Sequence, residues 1–398
     1  MYKNFLGIDI SKKTFDMALI DQNEKRIMQN KFSMTLESFK ELESALFAYN
    51  KEELLIVLES TSSYHINLLG FLLENNYNVS VVQPMLINSF IKSLTLRKTK
   101  TDKKDAYYIS LFGKSCFNNL KLATKKDIDA LKMISREKED IKKNCIKLIN
   151  QIKTLINLLF PEITSYLDIN SISMLSLFRE YPSAKLISNC EIKEIKRLIT
   201  SNRGFKLGIS AEQILEIAKS SIGIHDKNLE YILRMKINRI LSHRNELKAL
   251  DKLINKHIKQ DIELKKNIEI LKSIDGIGDE TSKSFILELV NITDFSSYKK
   301  LIAFIGTDPS IKQSGTSINV KGKISKRGNN HLRRTVYLMS LGVIKYNEVF
   351  NKYFVKKLNE GMPYRKAVIA VANKLIKLVF AMLKNNEFFK MERYRNSC

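Results

Sequence analysis

Residues Tyr2–Ile20, YKNFLGIDISKKTFDMALI, and their counterpart Leu54–Ser60, LLIVLES, decide the fold class. Tyr2–Ile10 reads as a strand, and Thr14–Ile20 as a second whose apolar positions alternate. Arg26–Phe32 is a weaker third. LLIVL is too short for a helix and suits a central strand. Around these runs, Leu36–Tyr49 and Tyr64–Glu74 carry helical periodicity. Val79–Val82 is a further strand, stopped by Pro84, and a helix runs from Asp102 toward Phe112. Three strands followed by alternating helix and strand predict an α/β domain with a mixed sheet over residues 1–125.

Acidic residues fall at telling places in that domain. Asp9 sits inside an apolar strand, and Glu59 is the first residue past the fourth strand. Asp102 and Asp105 stand three apart at a helix start, so they share a face. An unpaired carboxylate in a core is costly. Four converging carboxylates repel one another unless divalent cations lie between them, and oxygen-only ligands suit Mg2+, with Mn2+ as a substitute. Two such ions can hold a scissile phosphate and activate its attacker. Taken singly, each acid has a plainer reading: Asp9 ends a turn, Asp102 caps a helix and Asp105 lies on a solvated face.

Composition narrows the classes. The chain has 398 residues, a mass of 46.0 kDa and a net charge of +25. That length corresponds to about two or three domains. A hydrophobic fraction of 44% supports real cores, while 14 Gly and 5 Pro exclude collagen-like and low-complexity chains. The scattered Cys116, Cys145, Cys190 and Cys398 form no CxxC pair, which disfavours both a structural zinc site and a disulfide framework. The opening has no signal-peptide pattern, and the most apolar long run, Ala367–Leu383, contains Lys374 and Lys377. A cytoplasmic protein without membrane spans is expected, and so strong a positive charge points to nucleic acid. Lys92–Lys104 carries net +5 and Lys299–Lys345 net +9. From these stretches Lys98, Lys100, Lys103, Lys312, Lys321, Lys323, Lys326, Arg327, Arg333 and Arg334 are candidate phosphate contacts, with a solvated face as the plainer alternative.

Beyond the first domain, Asp127–Leu159 is a long helical segment ended by Pro161. Residues 126–224 otherwise break into short pieces without a motif, a helical insertion of undefined role. In Leu229–Leu271, Leu233, Ile240, Leu247, Ile254 and Ile268 recur on multiples of seven. As one helix this segment would run about 65 Å. Lys236, His243, His257 and Asp261 interrupt its seam, so 225–272 predicts an imperfect coiled coil that joins copies of the chain. Packing of that helix on its own domain is the alternative. In 273–390, Lys272–Leu289 (KSIDGIGDETSKSFILEL) reads as a helix-hairpin-helix turning at Gly276 and Gly278, whose amides could hold a phosphate. The plainer reading is an ordinary helical turn. Gly315–Asn329, GTSINVKGKISKRGN, is too polar and basic for a core and is sized to wrap a phosphate backbone. The rest of this region is mostly helical.

GIDISKKTFDMALI, the LES containing Glu59, and KTDKKDA with Asp102 and Asp105 resemble the DEDD domain of the insertion-sequence 110 group of transposases. LKSIDGIGDETS, LIAFIGTDPSIKQSG, KISKRGNNHLRRTVY and the late PYRKAVIAVANKLIKLVFAML resemble the C-terminal domain of the same group, in the same order. The resemblance implies a ribonuclease-H-like, resolvase-like first domain with Asp9, Glu59, Asp102 and Asp105 as metal ligands. It also implies a serine nucleophile in the xSG motif, at Ser314. Spacing alone does not separate Ser314 from Ser310, Ser317 or Ser325, and a serine hydroxyl needs activation. Further implied are a phosphoserine link to DNA, a structured bridge RNA pairing with donor and target double-stranded DNA, and homodimers assembling to a homotetramer. Two other readings keep the same acids: a Holliday-junction-type nuclease that uses water, and an inactive nucleic-acid-binding relative. A sugar-kinase-like ATPase would need further glycine-rich phosphate loops, which the first 125 residues lack.

Overall fold

The computed structural model describes residues 2–60, 63–94, 102–124, 130–166, 168–200, 209–289, 291–314 and 318–391, with the backbone alone at 102–103, 200, 310–314 and 318–323. The chain divides into two compact units, residues 1–130 with 290–296, and residues 131–289 with 297–398.

The first unit contains β1 (Asn4–Ile10), β2 (Thr14–Asp21), β3 (Arg26–Ser33), α1 (Leu36–Leu46), β4 (Leu54–Glu59), α2 (His65–Glu74), β5 (Asn78–Val82), α3 (Pro84–Leu94) and α4 (Asp102–Cys116). The five strands form one mixed sheet in the order β3-β2-β1-β4-β5. β1, β2 and β3 are an antiparallel meander, while β4 and β5 run parallel to β1. Alternation sorts the core. Leu6, Ile8, Leu54, Ile56 and Leu58 pack on one face with Leu42 of α1 and Leu69 of α2. Phe5, Leu55, Val57 and Val82 pack on the other with Ile87 of α3 and Ile109 and Phe112 of α4. The mixed sheet expected from the sequence is present. α3 is an addition: Pro84 ends β5 and also opens this helix, since its missing N–H costs nothing in a first turn.

The second unit contains α5 (Ala130–Leu159), α6 (Ile172–Glu180), α7 (Ala184–Ser188), α8 (Ile192–Thr200), α9 (Ala211–Lys219), α10 (Lys227–Gln260), α11 (Ile262–Lys272), α12 (Asp279–Leu289), α13 (Tyr298–Ile305), β6 (Pro309–Ser314), β7 (Ile318–Ile324), α14 (Asn330–Tyr346), α15 (Glu348–Asn359) and α16 (Tyr364–Asn385). The middle of the chain is a helical lobe with its own core. Leu148, Ile152 and Ile156 of α5 meet Phe178 of α6, Ile214 of α9 and Leu233, Ile237 and Ile240 of α10.

The single long helix expected over 229–271 is corrected. Asp261 is extended (φ −107°, ψ 105°), ending α10 and accepting the Leu264 N–H at 2.9 Å to start α11. An aspartate offers the backbone this local alternative to helix, and the heptad pattern on either side does not override it. The seam also packs within its own chain. α10 runs against α5 in the opposite direction: Lys236 Nζ donates to Gln151 Oε1 at 2.9 Å near one end, and Lys138 pairs with Asp251 further along. Part of the seam, Leu233 and Ile240, therefore lies in an antiparallel helix pair inside one chain.

The stretch read as a long basic loop is also corrected. Pro309–Ser314 and Ile318–Ile324 form an antiparallel hairpin. Between α11 and α12, Gly276 has φ +95° and lies against α14, where a Cβ would come within 2.4 Å of the Gly342 carbonyl oxygen.

Candidate active site

In the first unit the geometry begins with strand register. β1 and β4 are parallel neighbours paired up to Ile8 and Leu58, so Asp9 and Glu59 follow side by side at the carboxyl ends of adjacent strands. Ile8 and Leu58 face α1 and α2. Alternation therefore puts Asp9 and Glu59 on the α4 face. The pairing of Glu59 with Val82, which packs among α3 and α4, agrees.

α4 is held unusually close to this face. A Cβ on Gly7 would lie 2.3 Å from both the Ala106 carbonyl oxygen and the Ser110 nitrogen. Further along, a Cβ on Gly113 would meet Val57 Cγ2 at 2.8 Å and Phe5 Cδ1 at 3.9 Å. Later residues of α4 thus lie over earlier residues of β1, so the helix runs opposite to the strand. Its amino end, with Asp105 and Asp102, points toward the end of β1 where Asp9 stands. Asp9, Glu59 and Asp105 are each partly buried there. Asp102 is the first residue of α4, and its side chain lies outside the described residues. The partial positive charge of a helix amino terminus favours carboxylates at this end. Carboxylate oxygens alone suit a hard divalent cation. Among the described side chains, no three of His, Cys, Asp or Glu close into a metal cage.

Sequence reasoning passed over Asp16. It pairs directly with Asp9 across β1 and β2, is only 4% exposed, and forms an ion pair with Lys31 at 3.2 Å. Facing carboxylates on neighbouring strands are destabilising without compensation, and the Lys31 ammonium supplies part of it. The signal was present in TFDMALI, where an acid interrupts an apolar strand as Asp9 does in β1. Of the basic candidates in this unit, Lys98 and Lys100 lie outside the described residues. Lys103 is described only as backbone within α4.

In the second unit Ser314 is the last residue of β6 and pairs with Ile318 of β7, at the far end of the hairpin from its base. Lys312, Lys321 and Lys323 lie on the same two strands. The alternation of INVKGKI was the missed signal for β7. The base is tied to the end of α13. Ser325 N–H bonds to the Asp308 carbonyl at 2.8 Å and its Oγ to Asp308 Oδ1 at 2.5 Å, while Asn329 N–H reaches the Phe304 carbonyl at 2.7 Å. This turn leaves Lys326 and Arg327 exposed. Arg333 is committed elsewhere, donating to the Ile305 carbonyl at 3.1 Å, and Arg334 pairs with Glu139 at 2.6 Å.

Two carboxylates that the sequence did not single out organise this region. Glu288, 3% exposed, accepts from Arg136 Nε at 3.0 Å and from Asn329 Nδ2 at 2.6 Å, and Asn329 caps α14. Glu139 binds His331 Nδ1 at 2.8 Å besides Arg334. Burial pushes the Glu139 carboxyl up, but the His331 hydrogen bond and the Arg334 charge outweigh it and hold it below its ordinary value. At the helical hairpin, Gly278 opens onto free space while Gly276 is pressed on α14. The first turn of α12 already carries Asp279 and Glu280, which weakens its pull on a phosphate.

Comparison with known proteins finds matches that reach both units. A transposase family profile, that of the DEDD transposases of IS110, matches residues 6–161, and the transposase profile of the IS116/IS110/IS902 family matches residues 268–355. The chain belongs to the IS110 family of transposases. This transposase is 24% identical to a pilin gene-inverting protein of Moraxella bovis over 98% of both chains. It is 19% identical to an uncharacterized protein of insertion element IS116 from Streptomyces clavuligerus, over 97% of its own length and 96% of that relative. A transposase of insertion sequence element IS1111A from Coxiella burnetii is 31% identical over 30% of the IS110-family chain and 34% of its own. The family places the chain among DNA transposases and recombinases. The first matched region holds all four candidate carboxylates, and the second holds Ser314 with its basic turn. Among the described residues, no helix is long and apolar enough to cross a membrane.

Proposed function

We propose that this IS110-family transposase cleaves and rejoins DNA using Asp9, Glu59, Asp102 and Asp105 as metal-holding carboxylates and Ser314 as the nucleophile. The observation that carries the reading is the common edge of Asp9, Glu59 and Asp105, fixed by the parallel β1–β4 pair and by α4 lying on Gly7. An antiparallel three-strand meander followed by two parallel strands supports a ribonuclease-H-like first domain. The all-oxygen donor set suits Mg2+ or Mn2+, which when bound would stabilise the charge developing on the scissile phosphate.

Ser314 Oγ bonds to phosphorus and gives up its proton, and the P–O bond to one DNA strand end breaks, leaving that end as a free hydroxyl. The phosphoserine ester keeps the phosphodiester energy, so a DNA hydroxyl can attack it, release the serine and reseal the strand without ATP. A relative named for inverting a pilin gene fits an enzyme that breaks and rejoins DNA. The resemblance extends the proposal to a bridge RNA that pairs with donor and target DNA, and to dimers combining into a tetramer. A net charge of +25 suits such partners.

The test uses full-length protein purified with its bound RNA and DNA carrying the element's ends. Ser314→Ala should abolish the protein–DNA adduct on a denaturing gel, and Asp9→Ala or Asp105→Ala should abolish magnesium-dependent cutting. An adduct that survives Ser314→Ala would assign another nucleophile. Cutting by Ser314→Ala without any adduct would establish a water-using nuclease. Sequencing the co-purified RNA tests the guide: no discrete transcript from the flanking DNA would remove it.

A further inference from the structure

With its apolar seam turned onto α5, α10 leaves a different face to solvent. Lys248, Lys252, Lys256 and Lys259 succeed one another at steps of four, four and three, so they fall within roughly a quarter of the helix circumference. All four are exposed. The buried positions Ile254 and Ile258 lie on the other side of the helix. Asp251 is the only acid between the first and last of these lysines in sequence, and it is turned to the α5 side, where it pairs with Lys138. Among the described residues, none of the four lysines makes an ion pair or side-chain hydrogen bond. Other lysines of this unit are engaged: Lys132 with Glu288, Lys138 with Asp251 and Glu280, and Lys272 and Lys283 with Asp279. Lys252, Lys256 and Lys259 also line an open depression of about 550 Å³ with Asn255 and Gln260.

We infer that this lysine row is a docking surface for the sugar-phosphate backbone of duplex DNA, bound without regard to sequence. The four ammonium groups stretch over about 17 Å of helix, at 1.5 Å per residue. Duplex DNA carries one negative charge per about 1.7 Å of its axis, so a row of this length faces enough phosphates to engage every lysine. Lysine suits the task as a compact point charge that needs no fixed donor geometry. No aromatic side chain interleaves the row, so stacking on unpaired bases is not its mode. The family supplies the partner: a DNA transposase must hold long duplex beside the point it cuts.

The surface is tested by binding, independently of Ser314 chemistry. Affinity of the full chain for a duplex of unrelated sequence is measured by fluorescence anisotropy across a salt series. Each phosphate contact contributes about 0.9 to the slope of log K against log[salt]. The quadruple variant K248Q/K252Q/K256Q/K259Q should therefore flatten the slope by about 3 to 4 and weaken binding at least tenfold at about 0.1 M salt. The matching Lys→Arg quartet should keep the wild-type slope. A control that removes four exposed lysines elsewhere, K40Q/K185Q/K193Q/K219Q, should change it far less. An unchanged slope in the first variant, or an equal loss in the control, overturns the surface. A loss seen only with an RNA hairpin and not with duplex DNA overturns DNA as the occupant. Wild-type protein that fails to bind duplex even at low salt overturns it as well, whereas cutting defects with intact binding bear only on the Ser314 reading.

Discussion

Gly7→Ala is the sharpest test of how the acidic site is built. A Cβ added to Gly7 would stand 2.3 Å from the Ala106 carbonyl oxygen and the Ser110 nitrogen and 2.8 Å from the Ile109 carbonyl carbon. These are helix backbone atoms, so no side chain can swing aside. Comfortable contact needs roughly 3.5 Å, and α4 must retreat by about 1 Å. Overpacking of this kind costs about 1–3 kcal/mol. Replacing a strand glycine by alanine returns only about 0.5–1 kcal/mol of backbone entropy, so the clash wins. The retreat carries Asp105 away from Asp9 and Glu59, and a misplacement of about 1 Å at a catalytic group can lower the rate about 10²-fold. The assays are the urea midpoint at constant slope and magnesium-dependent DNA cleavage. Gly278→Ala, where a Cβ meets nothing within 4 Å, serves as the control for the urea midpoint alone. A Gly7→Ala protein with wild-type midpoint and wild-type cleavage would refute the close-packing argument.

Three further outcomes are expected. The Lys138 side chain is 7% exposed while its partners Asp251 and Glu280 are 46% and 51% exposed, so the pair is asymmetric. Asp251→Asn with Glu280→Gln strands a buried ammonium and should cost about 3 kcal/mol or more. Lys138→Met returns Asp251 to water and leaves Glu280 with Lys142 at 2.9 Å, so it should cost about 1 kcal/mol or less; equal losses in urea titrations would contradict this. Glu139, held below its ordinary value, contributes stability that is fully present above the unfolded carboxylate range near pH 4.3 and is lost as the pH falls through its folded value. The gap in urea midpoint between wild type and Glu139→Gln should therefore narrow on acidification from pH 7 to 3, and a constant gap would rule the linkage out. Asp261→Ala removes the cap between α10 and α11 and should cost about 1 kcal/mol, with Asp261→Ser keeping most of it. A gain in stability from Asp261→Ala would show that the chain favours one continuous helix there.

Much of the first unit was legible because its signals are local. Period-two alternation marked β1 and β2, a short apolar run marked β4, and an acid within or just beyond each of β1 and β4 marked the candidate site. Asp16 obeyed the same rule and was missed because a single buried acid reads as an accident until strand pairing sets it opposite Asp9. Pro84 was read as a stop, though proline ends a strand and opens a helix equally well. In the second unit, INVKGKI held a strand signal that its glycine and lysines concealed. Glu288 and Glu139 left no trace in the sequence, since their meaning depends on Arg136, Asn329, His331 and Arg334 arriving from other helices.

The sequence by itself determined that an α/β sheet domain comes first, that Asp9 and Glu59 end its central strands, and that helices dominate the remainder of the chain. These features depend on residues a few positions apart, where pleat and helix period fix the side-chain direction. Only the tertiary structure decided what each periodic face meets. It set Leu233, Ile237 and Ile240 of α10 against Leu148, Ile152 and Ile156 of α5 in the same chain. It pressed α4 onto Gly7, aiming Asp105 at the edge that Asp9 and Glu59 share. Periodicity fixes which residues share a face but carries no information about the surface that will cover it, because that choice depends on competing contacts far apart in the chain.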